Sequence, residues 1–464
     1  MKINPDIFKT YDIRGIYGRD LNEETAYRLG YAYTELRQTE SRKKRLRVVI
    51  GQDMRLSSTK LKRSLVKGLT EAGSEVIDIG LASTPTFYFA IAFFNYDGGI
   101  MVSASHNPKE WNGFKLTRAK AKPISADSGI NILKEKVLAN KFRPAKIKGK
   151  IIKRADTLEK QLEHDLKFVE INKIKPLKIV VDPANGMGAQ YIGALFKHLP
   201  CQLIKMNFTL NGSFPAHEAD PLKEENLHDL QKRVKAEKAD LGIAIDGDGD
   251  RIFFIDDKGK TIDQSIIRGL LAAIFLREKP GSKICYDIRP GKITRDLIEK
   301  NGGIPIVTKV GHSLIKERML KENAYFAGES SGHFFLNLTF GCFEMPNIMI
   351  LKLLQEFSQI DAPVSEFIKP YQKYYHSGEI NFTVRDKEAI FKKIEAKYKD
   401  GNINKLDGIT VEYPSFWFNL RGSNTESKIR LNLEALTKKI MIEKTNELRL
   451  LIKQTKEVKR GKIR

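Results

Sequence analysis

The sequence lacks the features of a membrane-spanning or disulfide-rich protein. No apolar run in its 464 residues approaches the length that crosses a bilayer, and residues 1–5 show no signal-peptide pattern. Its three cysteines, Cys201, Cys285 and Cys342, lie far apart, without the paired spacing of a zinc site or a disulfide framework. We therefore expect a protein of the reducing cytoplasm.

The composition is that of a globular protein with an excess of basic residues. Apolar residues make up 41% and charged residues 30%, and the length predicts three or four domains. The formal net charge of +23 favours an anionic partner, which could be nucleic acid, a membrane surface or a phosphorylated metabolite. Most lysines are spread along polar helix faces and no recognised nucleic-acid module is present, so the charge alone selects no ligand.

One pattern occurs three times along the chain. Copies beginning at Arg47, Lys178 and Lys283 each run from a basic residue through an apolar strand, an Asp, a loop and a helix to a second strand. Three such βαβ units predict three α/β domains, each with a mixed sheet between helices. After residue 380 short alternating strands and a helix near 436–455 predict a fourth, α+β domain.

The first candidate for chemistry is a serine turn. Ser103-Ala104-Ser105-His106-Asn107-Pro108 follows the apolar strand Gly99–Val102, so the Ser105 hydroxyl lies on rigid backbone before a Pro-restricted turn. We expect free amide N–H groups near it to receive an anion, with Ser105 as the nucleophile. The alternative is an ordinary surface turn with solvated serines.

The second candidate is an acidic loop. Asp246, Asp248 and Asp250 alternate with glycines between two apolar strands. Three carboxylates so close together repel one another unless a cation neutralises them, and hard oxygen ligands suit Mg²⁺. A calcium EF-hand loop is excluded because Arg251 stands where a glycine is needed and strands rather than helices flank the loop. A purely structural acidic turn is the alternative.

Two histidine-containing loops follow. Gly311-His312 and the stretch Gly328–His333 lie beside apolar segments. Glu329 and Ser331 offer a carboxylate and a hydroxyl that together can bind neighbouring sugar hydroxyls, and His333 can move protons. Structural histidines are the alternative.

A polar segment near the end of the chain predicts a phosphate site. Arg421-Gly422-Ser423-Asn424-Thr425-Glu426, with Arg430, supplies two guanidiniums, two hydroxyls, an amide and turn N–H groups. A polar hairpin explains the same composition equally well.

One stretch suggests a different enzyme class. Residues 180–188 look like half of a dinucleotide-binding turn, which would indicate a nicotinamide-dependent oxidoreductase. The full glycine spacing of that motif is absent, which disfavours this reading.

Taken together, five motifs in order resemble the α-D-phosphohexomutase superfamily, and within it the bacterial phosphomannomutase/phosphoglucomutase group. They are Tyr11-Asp12-Ile13-Arg14-Gly15, the serine turn with Asn112-Gly113-Phe114-Lys115, the acidic loop through Arg251, the stretch Gly328–His333 and the segment Arg421–Glu426.

The resemblance implies a role for each matching residue. Ser105 would be phosphorylated and would bind Mg²⁺ through its phosphate, together with Asp246, Asp248 and Asp250. Arg14, Lys115 and Arg251 would stabilise the transferring phosphoryl group, and His312 and His333 would lie where protons move. Glu329 and Ser331 would bind the sugar. The phosphate that is not reacting would be bound by Arg421, Ser423, Asn424, Thr425 and Arg430.

The resemblance also implies the reaction and the architecture. Four domains, at 1–152, 153–256, 257–367 and 368–464, would surround a central cleft and supply the phosphoserine, metal, sugar and phosphate loops. The enzyme would interconvert the 1- and 6-phosphates of mannose, glucose or both through a hexose 1,6-bisphosphate. Its partners would be small sugar phosphates rather than nucleic acid or membrane, and we expect a monomer, with a dimer as the alternative.

Three departures from the family pattern stand out. Ser427 replaces the usual proline after the phosphate loop, Glu344 is the only acidic residue where several are usual, and Arg289 stands where a lysine is common. Phosphoglucosamine mutase is the near alternative, and it is disfavoured because its phosphate loop normally lacks the Asn-Thr pair present here.

Overall fold

A computed structural model describes residues 3–289, 291–384, 386–422 and 428–457, with side chains to Lys453. The chain divides into two compact units. The first comprises the described residues up to Ile262 together with Met319–Ala327 and Ser331–Phe367, and the second comprises Asp263–Arg318, Gly328–Ser330 and the described residues from Ile368 onward. Among the described residues, no helix combines the length and the apolarity needed to cross a bilayer.

Residues 3–153 form a six-stranded sheet with helices. Their elements in chain order are β1 (Ile13–Ile16), α1 (Glu23–Ser41), β2 (Arg47–Gln52), α2 (Ser58–Glu71), β3 (Glu75–Leu81), α3 (Thr84–Phe93), β4 (Gly98–Val102), β5 (Trp111–Arg118), α4 (Asn131–Ala139) and β6 (Ile151–Lys153). The strand order is β1-β5-β4-β2-β3-β6, with β5 antiparallel to both of its neighbours and the other pairs parallel. The buried strand β4 delivers the serine turn at its carboxyl end.

The next segment forms a four-stranded sheet. Its elements are α5 (Thr157–Asp165), β7 (Lys178–Asp182), α6 (Gly188–Leu195), β8 (Gln202–Lys205), α7 (His228–Glu237), β9 (Leu241–Ile245) and β10 (Ile252–Asp256). The order is β10-β9-β7-β8, and only β10 runs antiparallel. Because β9 and β10 are both fully buried, the acidic loop that joins them is held at both ends.

The third segment contains helices and short strands. Its elements are α8 (Gln264–Glu278), β11 (Lys283–Asp287), α9 (Lys292–Lys300), β12 (Ile304–Thr308), α10 (His312–Glu322), β13 (Phe326–Gly328), β14 (Phe334–Leu338), β15 (Gly341–Glu344), α11 (Pro346–Phe357) and α12 (Val364–Ile368). In the second unit β11 pairs with β12 in parallel, and in the first unit β14 pairs with β15 antiparallel.

The last segment forms an antiparallel sheet covered by helices. Its elements are β16 (Tyr375–His376), β17 (Ile380–Thr383), α13 (Lys387–Lys397), β18 (Asn402–Asn404), β19 (Ile409–Glu412), β20 (Phe416–Gly422), β21 (Lys428–Ala435) and α14 (Lys438–Glu457). The strand order is β16-β21-β20-β19-β18, with β17 also paired to β21. Apolar side chains of this sheet and of both helices form one core, which includes Ile394, Phe418 and Leu448.

The predicted fold class is confirmed. The three repeats are β2-α2-β3, β7-α6-β8 and β11-α9-β12, and each pairs its two strands in parallel, as a βαβ unit does. The fourth segment is α+β, with alternating strands and a closing helix, as the change of pattern after residue 380 predicts.

Two glycines allow α1 and α2 to pack closely. A Cβ atom on Gly68 would lie 2.1 Å from the carbonyl oxygen of Tyr27, and one on Gly30 would lie 2.6 Å from that of Leu65. Because backbone atoms cannot yield as a flexible side chain can, any larger residue forces the helices apart.

We expect Gly68→Ala to destabilise the first unit by about 1–3 kcal/mol through this overpacking. The matched control is Gly193→Ala on α6, where a Cβ meets no atom within 4 Å and alanine favours the helix. Thermal unfolding followed by circular dichroism should show a lower midpoint for Gly68→Ala alone, and equal midpoints for both variants would contradict this account.

Candidate active site

The serine turn is held by a buried arginine. Ser105 has φ +52°, a left-handed conformation that is costly for a residue with a Cβ, so the surrounding structure must impose it. Arg55, which is 2% exposed, donates through Nη2 to the carbonyl oxygens of Ser105 at 2.7 Å and Asn107 at 2.6 Å. Its Nη1 donates to the carbonyls of Pro108 and Trp111 at 2.8 and 3.0 Å. One guanidinium therefore fixes four points of the turn.

The Ser105 hydroxyl points at the acidic loop. Its Oγ donates to Oδ2 of Asp246 at 2.8 Å and lies 3.2 Å from Nδ1 of His106. Burial, together with the charges of Arg251 and Arg14, holds the pKa of His106 well below its usual range, so this imidazole is neutral. The hydroxyl thus has a carboxylate and a neutral imidazole as immediate neighbours.

The expectation of free amide groups in this turn is wrong at two positions. The N–H of Ser105 donates to Oγ of Ser103 at 3.0 Å, and the N–H of Asn107 donates to the carbonyl of Ala104 at 3.1 Å. Tight turns satisfy their own amide groups in this way. These two amide groups are therefore not available to an anion.

The acidic loop is organised around Asp246. Its Oδ1 accepts the backbone N–H groups of Gly249, Asp250 and Arg251 at 3.0–3.1 Å. Gly249 has φ +78°, which a glycine adopts without cost. This turn brings one carboxylate oxygen of each of Asp246, Asp248 and Asp250 within 4.8 Å of the others.

A lysine from the serine segment partly neutralises these carboxylates. The Lys115 Nζ lies 2.6 Å from Oδ2 of both Asp248 and Asp250. Burial opposes its charge, but the two carboxylates outweigh burial and hold the pKa of Lys115 well above its usual range. Burial raises the pKa of Asp246 well above its usual range, and the charges of the neighbouring Asp250 and Asp248 add to this shift.

The donor set fits a hard divalent cation. All three candidate ligands are buried carboxylates, and Oδ1 of Asp248 receives no hydrogen bond from the described residues. Its Oδ2 accepts from Thr84 at 2.5 Å, which orients the carboxylate. Oxygen ligands of this kind suit Mg²⁺, so Asp246, Asp248 and Asp250 are the residues that would hold it.

The other predicted groups of the first unit converge on the same place. Arg14 donates from Nε to Oδ2 of Asp12 at 2.7 Å and from Nη1 to the carbonyl of Ala104 at 3.1 Å, beside the serine turn. His333 lies with Nε2 3.1 Å from Oδ1 of Asp250 and Nδ1 2.9 Å from Oγ of Ser331. Nine predicted residues therefore form one cluster, namely Arg14, Ser105, Lys115, Asp246, Asp248, Asp250, Arg251, Ser331 and His333.

The second unit places the predicted sugar-binding acid beside a histidine loop. Glu329 accepts through Oε1 the N–H of Gly311 at 3.0 Å, and His312 begins α10 immediately afterwards. The same oxygen lies 3.3 Å from Nη2 of Arg289, whose Nε lies 2.5 Å from Oδ2 of Asp287. Arg289, the departure from the usual lysine, thus holds two carboxylates in fixed positions.

Two predicted phosphate-binding arginines share a carboxylate. Glu379 accepts from Nη2 of Arg421 at 2.7 Å and from Nη1 of Arg430 at 3.3 Å. Burial would raise the pKa of Glu379, but the two guanidiniums outweigh it and keep that pKa below its usual range. Ser423, Asn424 and Thr425, together with Ser427, lie outside the described residues.

Several supporting residues escaped the sequence analysis. Arg55, Thr84 and Glu379 carry no local motif, and their partners are distant in the chain, as in the Thr84–Asp248 bond across 164 positions. His106 was overlooked although it lies in the serine turn. Its position directly after Ser105 in the sequence could have indicated that it contacts the Ser105 hydroxyl.

We expect Asp248→Asn to weaken divalent binding at least tenfold, or about 1.4 kcal/mol, because the site loses a charge and a ligand oxygen. Mn²⁺ titration followed by electron paramagnetic resonance measures this without any assay of activity. Asp229→Asn, on the exposed face of α7, is the matched control and should bind as the parent does. Equal affinity in both variants would remove Asp248 from the metal site.

Comparison with known proteins supports the resemblance. Three family models match: phosphoglucomutase/phosphomannomutase α/β/α domain I at residues 5–144, domain II at 157–259 and domain III at 263–374. A phosphomannomutase of Vibrio cholerae serotype O1 is 39% identical, covering 96% of this chain and 98% of its own. One of Methanocaldococcus jannaschii is also 39% identical, covering 96% of this chain and 97% of its own.

Solved structures of related proteins share the fold of this chain. A phosphoglucomutase/phosphomannomutase family protein of Burkholderia thailandensis superposes with a TM-score of 0.89 at 31% identity, over 98% of each chain. An N-acetylphosphoglucosamine mutase of Aspergillus fumigatus shares the fold at 13% identity, with a TM-score of 0.63 over 97% of this chain and 96% of its own. The matching models, the whole-length relatives and the shared fold show that the chain belongs to the phosphoglucomutase/phosphomannomutase family of intramolecular phosphotransferases.

Proposed function

We propose that the protein is a phosphohexomutase that interconverts the 1- and 6-phosphates of mannose, glucose or both. The observation that carries the proposal is the 2.8 Å hydrogen bond from the Ser105 hydroxyl to Asp246, which supports a role for Ser105 as the nucleophile beside a three-carboxylate loop. The whole-length similarity to phosphomannomutases supports the substrate class. Four segments, 1–152, 153–256, 257–367 and 368–464, would supply the phosphoserine, metal, sugar and phosphate loops.

The reaction begins with Ser105 phosphorylated. A free hydroxyl of the bound hexose monophosphate attacks this phosphorus, so the bond to Ser105 Oγ breaks and a bond to the sugar oxygen forms. The hydroxyl proton passes to a base, a role we assign to His333 or His312. The product is a hexose 1,6-bisphosphate, which turns round and returns its other phosphate to Ser105.

The residues around Ser105 match the demands of this transfer. The turn is held by Arg55 before substrate arrives, so little reorganisation is needed. Arg14 and Lys115 carry positive charge beside the serine turn and the acidic loop, and the guanidinium of Arg251 contacts His333 in the same cluster, so all three can stabilise charge on the phosphoryl oxygens. When bound by the three aspartates and a phosphoserine oxygen, Mg²⁺ neutralises part of that charge.

Substrate recognition is assigned to the remaining groups. Glu329 and Ser331 bind sugar hydroxyls, and Arg421, Ser423, Asn424, Thr425 and Arg430 bind the phosphate that is not reacting. The ion pairs of Arg421 and Arg430 with Glu379 support this assignment, because they hold both guanidiniums together for a dianion. We propose a cytoplasmic enzyme, a monomer with a dimer as the alternative, that acts on small sugar phosphates and binds neither nucleic acid nor membrane.

We expect Ser105→Ala to abolish turnover, because it removes the hydroxyl that carries the phosphoryl group in the proposed reaction. The assay measures kcat/KM for mannose 1-phosphate, glucose 1-phosphate and glucosamine 1-phosphate with Mg²⁺ and a trace of bisphosphate. Full activity of Ser105→Ala would disprove the phosphoserine mechanism. Ser103→Ala keeps the proposed nucleophile, so this control should still take up phosphate when it is incubated with hexose 1,6-bisphosphate carrying a phosphorus label.

The same assay separates the substrates. Comparable values for mannose and glucose phosphates indicate an enzyme that ignores the configuration at C2. A clear preference for glucosamine 1-phosphate would indicate a phosphoglucosamine mutase, and activity with none of the three would refute the proposed function.

We expect Arg421→Met to raise KM and lower kcat together, because remote phosphate binding orients the reacting end of the sugar. Arg449→Met, on the exposed face of α14, is the control and should leave both constants unchanged. Steady-state kinetics provides the measurement. Parent-like constants in Arg421→Met would remove this residue from the phosphate site.

A further inference from the structure

A cavity of about 360 Å³ lies in the first unit, apart from the serine turn. It is bounded by the end of β3 and by the starts of α3, α5 and α6. The polar side chains that line it are Ser83, Thr86, Thr157, Gln190 and Tyr191. Ile79, Leu81 and Leu158 supply an aliphatic wall, and Leu81 is 46% exposed, so this wall reaches the solvent.

The lining offers hydrogen-bonding groups without using all of them. Thr157 is 3% exposed, and its Oγ1 has no hydrogen-bond partner among the described residues. A buried hydroxyl left without a partner costs free energy, so it points to a missing polar neighbour. In the described part of the chain the Gln190 side-chain amide also makes no hydrogen bond, and it supplies both a donor and an acceptor.

Charge restricts what the cavity can hold. None of its lining residues is acidic or basic. Tyr191 donates from its hydroxyl to the carbonyl of Gly249 at 3.1 Å, so the cavity adjoins the loop that carries Asp248 and Asp250. An anion would be desolvated beside these carboxylates without a compensating cation, which is unfavourable.

We propose that this cavity binds an uncharged polyol ring, the class to which an unphosphorylated hexose belongs. Sugar hydroxyls both donate and accept, as Thr157 and Gln190 require, and the C–H face of the ring suits the aliphatic wall. The volume lies within the usual range for small-molecule pockets. A single ion or water molecule would leave most of the space unfilled.

An occupant would contact groups that support the acidic loop. A Cβ on Gly249 would lie 2.9 Å from Cε1 of Tyr191, so the aromatic ring packs directly on this loop. Ser83, at the cavity wall, precedes Thr84, whose hydroxyl donates to Asp248. Binding of a polyol should therefore change the rate of phosphoryl transfer. This kinetic effect rests on the proposed function, whereas the binding itself does not.

The test measures binding of glucose to the full-length protein by saturation-transfer NMR. Titrations are run with and without saturating glucose 1-phosphate, which separates this cavity from the substrate site. We expect saturable binding in both conditions, and at least a tenfold loss of affinity in Thr157→Val combined with Gln190→Leu. Glu329→Gln is the matched control, because it alters the proposed sugar site alone and should keep the binding.

Three outcomes would overturn the proposal. They are the absence of saturable binding, loss of binding when glucose 1-phosphate is added, and unchanged affinity in the double variant. Thermal unfolding of the double variant verifies that it folds, and Thr157→Val alone, which preserves shape, gives a second measurement. If glucose binds but no mutase activity is found, the proposed polyol site is supported and the proposed function is refuted.

Discussion

Burial of three carboxylates in one loop is the constraint on which the rest of the first unit depends. Asp246, Asp248 and Asp250 are each at most 2% exposed, and like charges at this separation in a poorly solvated site repel strongly. Several groups in contact with the carboxylates offset this repulsion. Lys115 supplies charge, Thr84 a hydroxyl, and the loop itself three amide groups to one oxygen of Asp246.

The serine turn contacts this loop but is held in shape by different residues. Arg55 holds the turn through four carbonyl oxygens, and its charge is paired with Asp53. Arg55 therefore stabilises the left-handed backbone of Ser105 through its carbonyl group, while the Ser105 hydroxyl faces the carboxylates. Because the serine turn and the acidic loop are each held by their own hydrogen bonds, the distance from the Ser105 hydroxyl to Asp246 is fixed without distortion of either segment.

Much of the fold was predictable because apolar spacing and turn residues indicate the same secondary structure in each segment. The run from Lys292 to Lys300 has the apolar spacing of a helix and forms α9 over that range, and each βαβ repeat shows the same agreement of strand, turn and helix. Helix ends were less exact, since the closing helix predicted near 436–455 is α14, which begins at Lys438 and ends at Glu457.

The site was predictable only where its chemistry is contiguous in the chain. The acidic loop and the serine turn are short motifs, so their residue types alone indicate their use. Arg55, Thr84 and Glu379 act on partners that only folding brings near, and nothing in their own surroundings marks them. The error about free amide groups has the same origin, since the hydroxyl of Ser103 satisfies the amide of Ser105 only in the folded turn.

The position of Lys115 has a consequence for how the protein handles its cation. The ammonium group lies on two of the three carboxylates, so the acidic loop carries a resident counterion of its own. A divalent ion that binds this loop would therefore meet an ammonium group already paired with two of its carboxylates, rather than three carboxylates without a counterion.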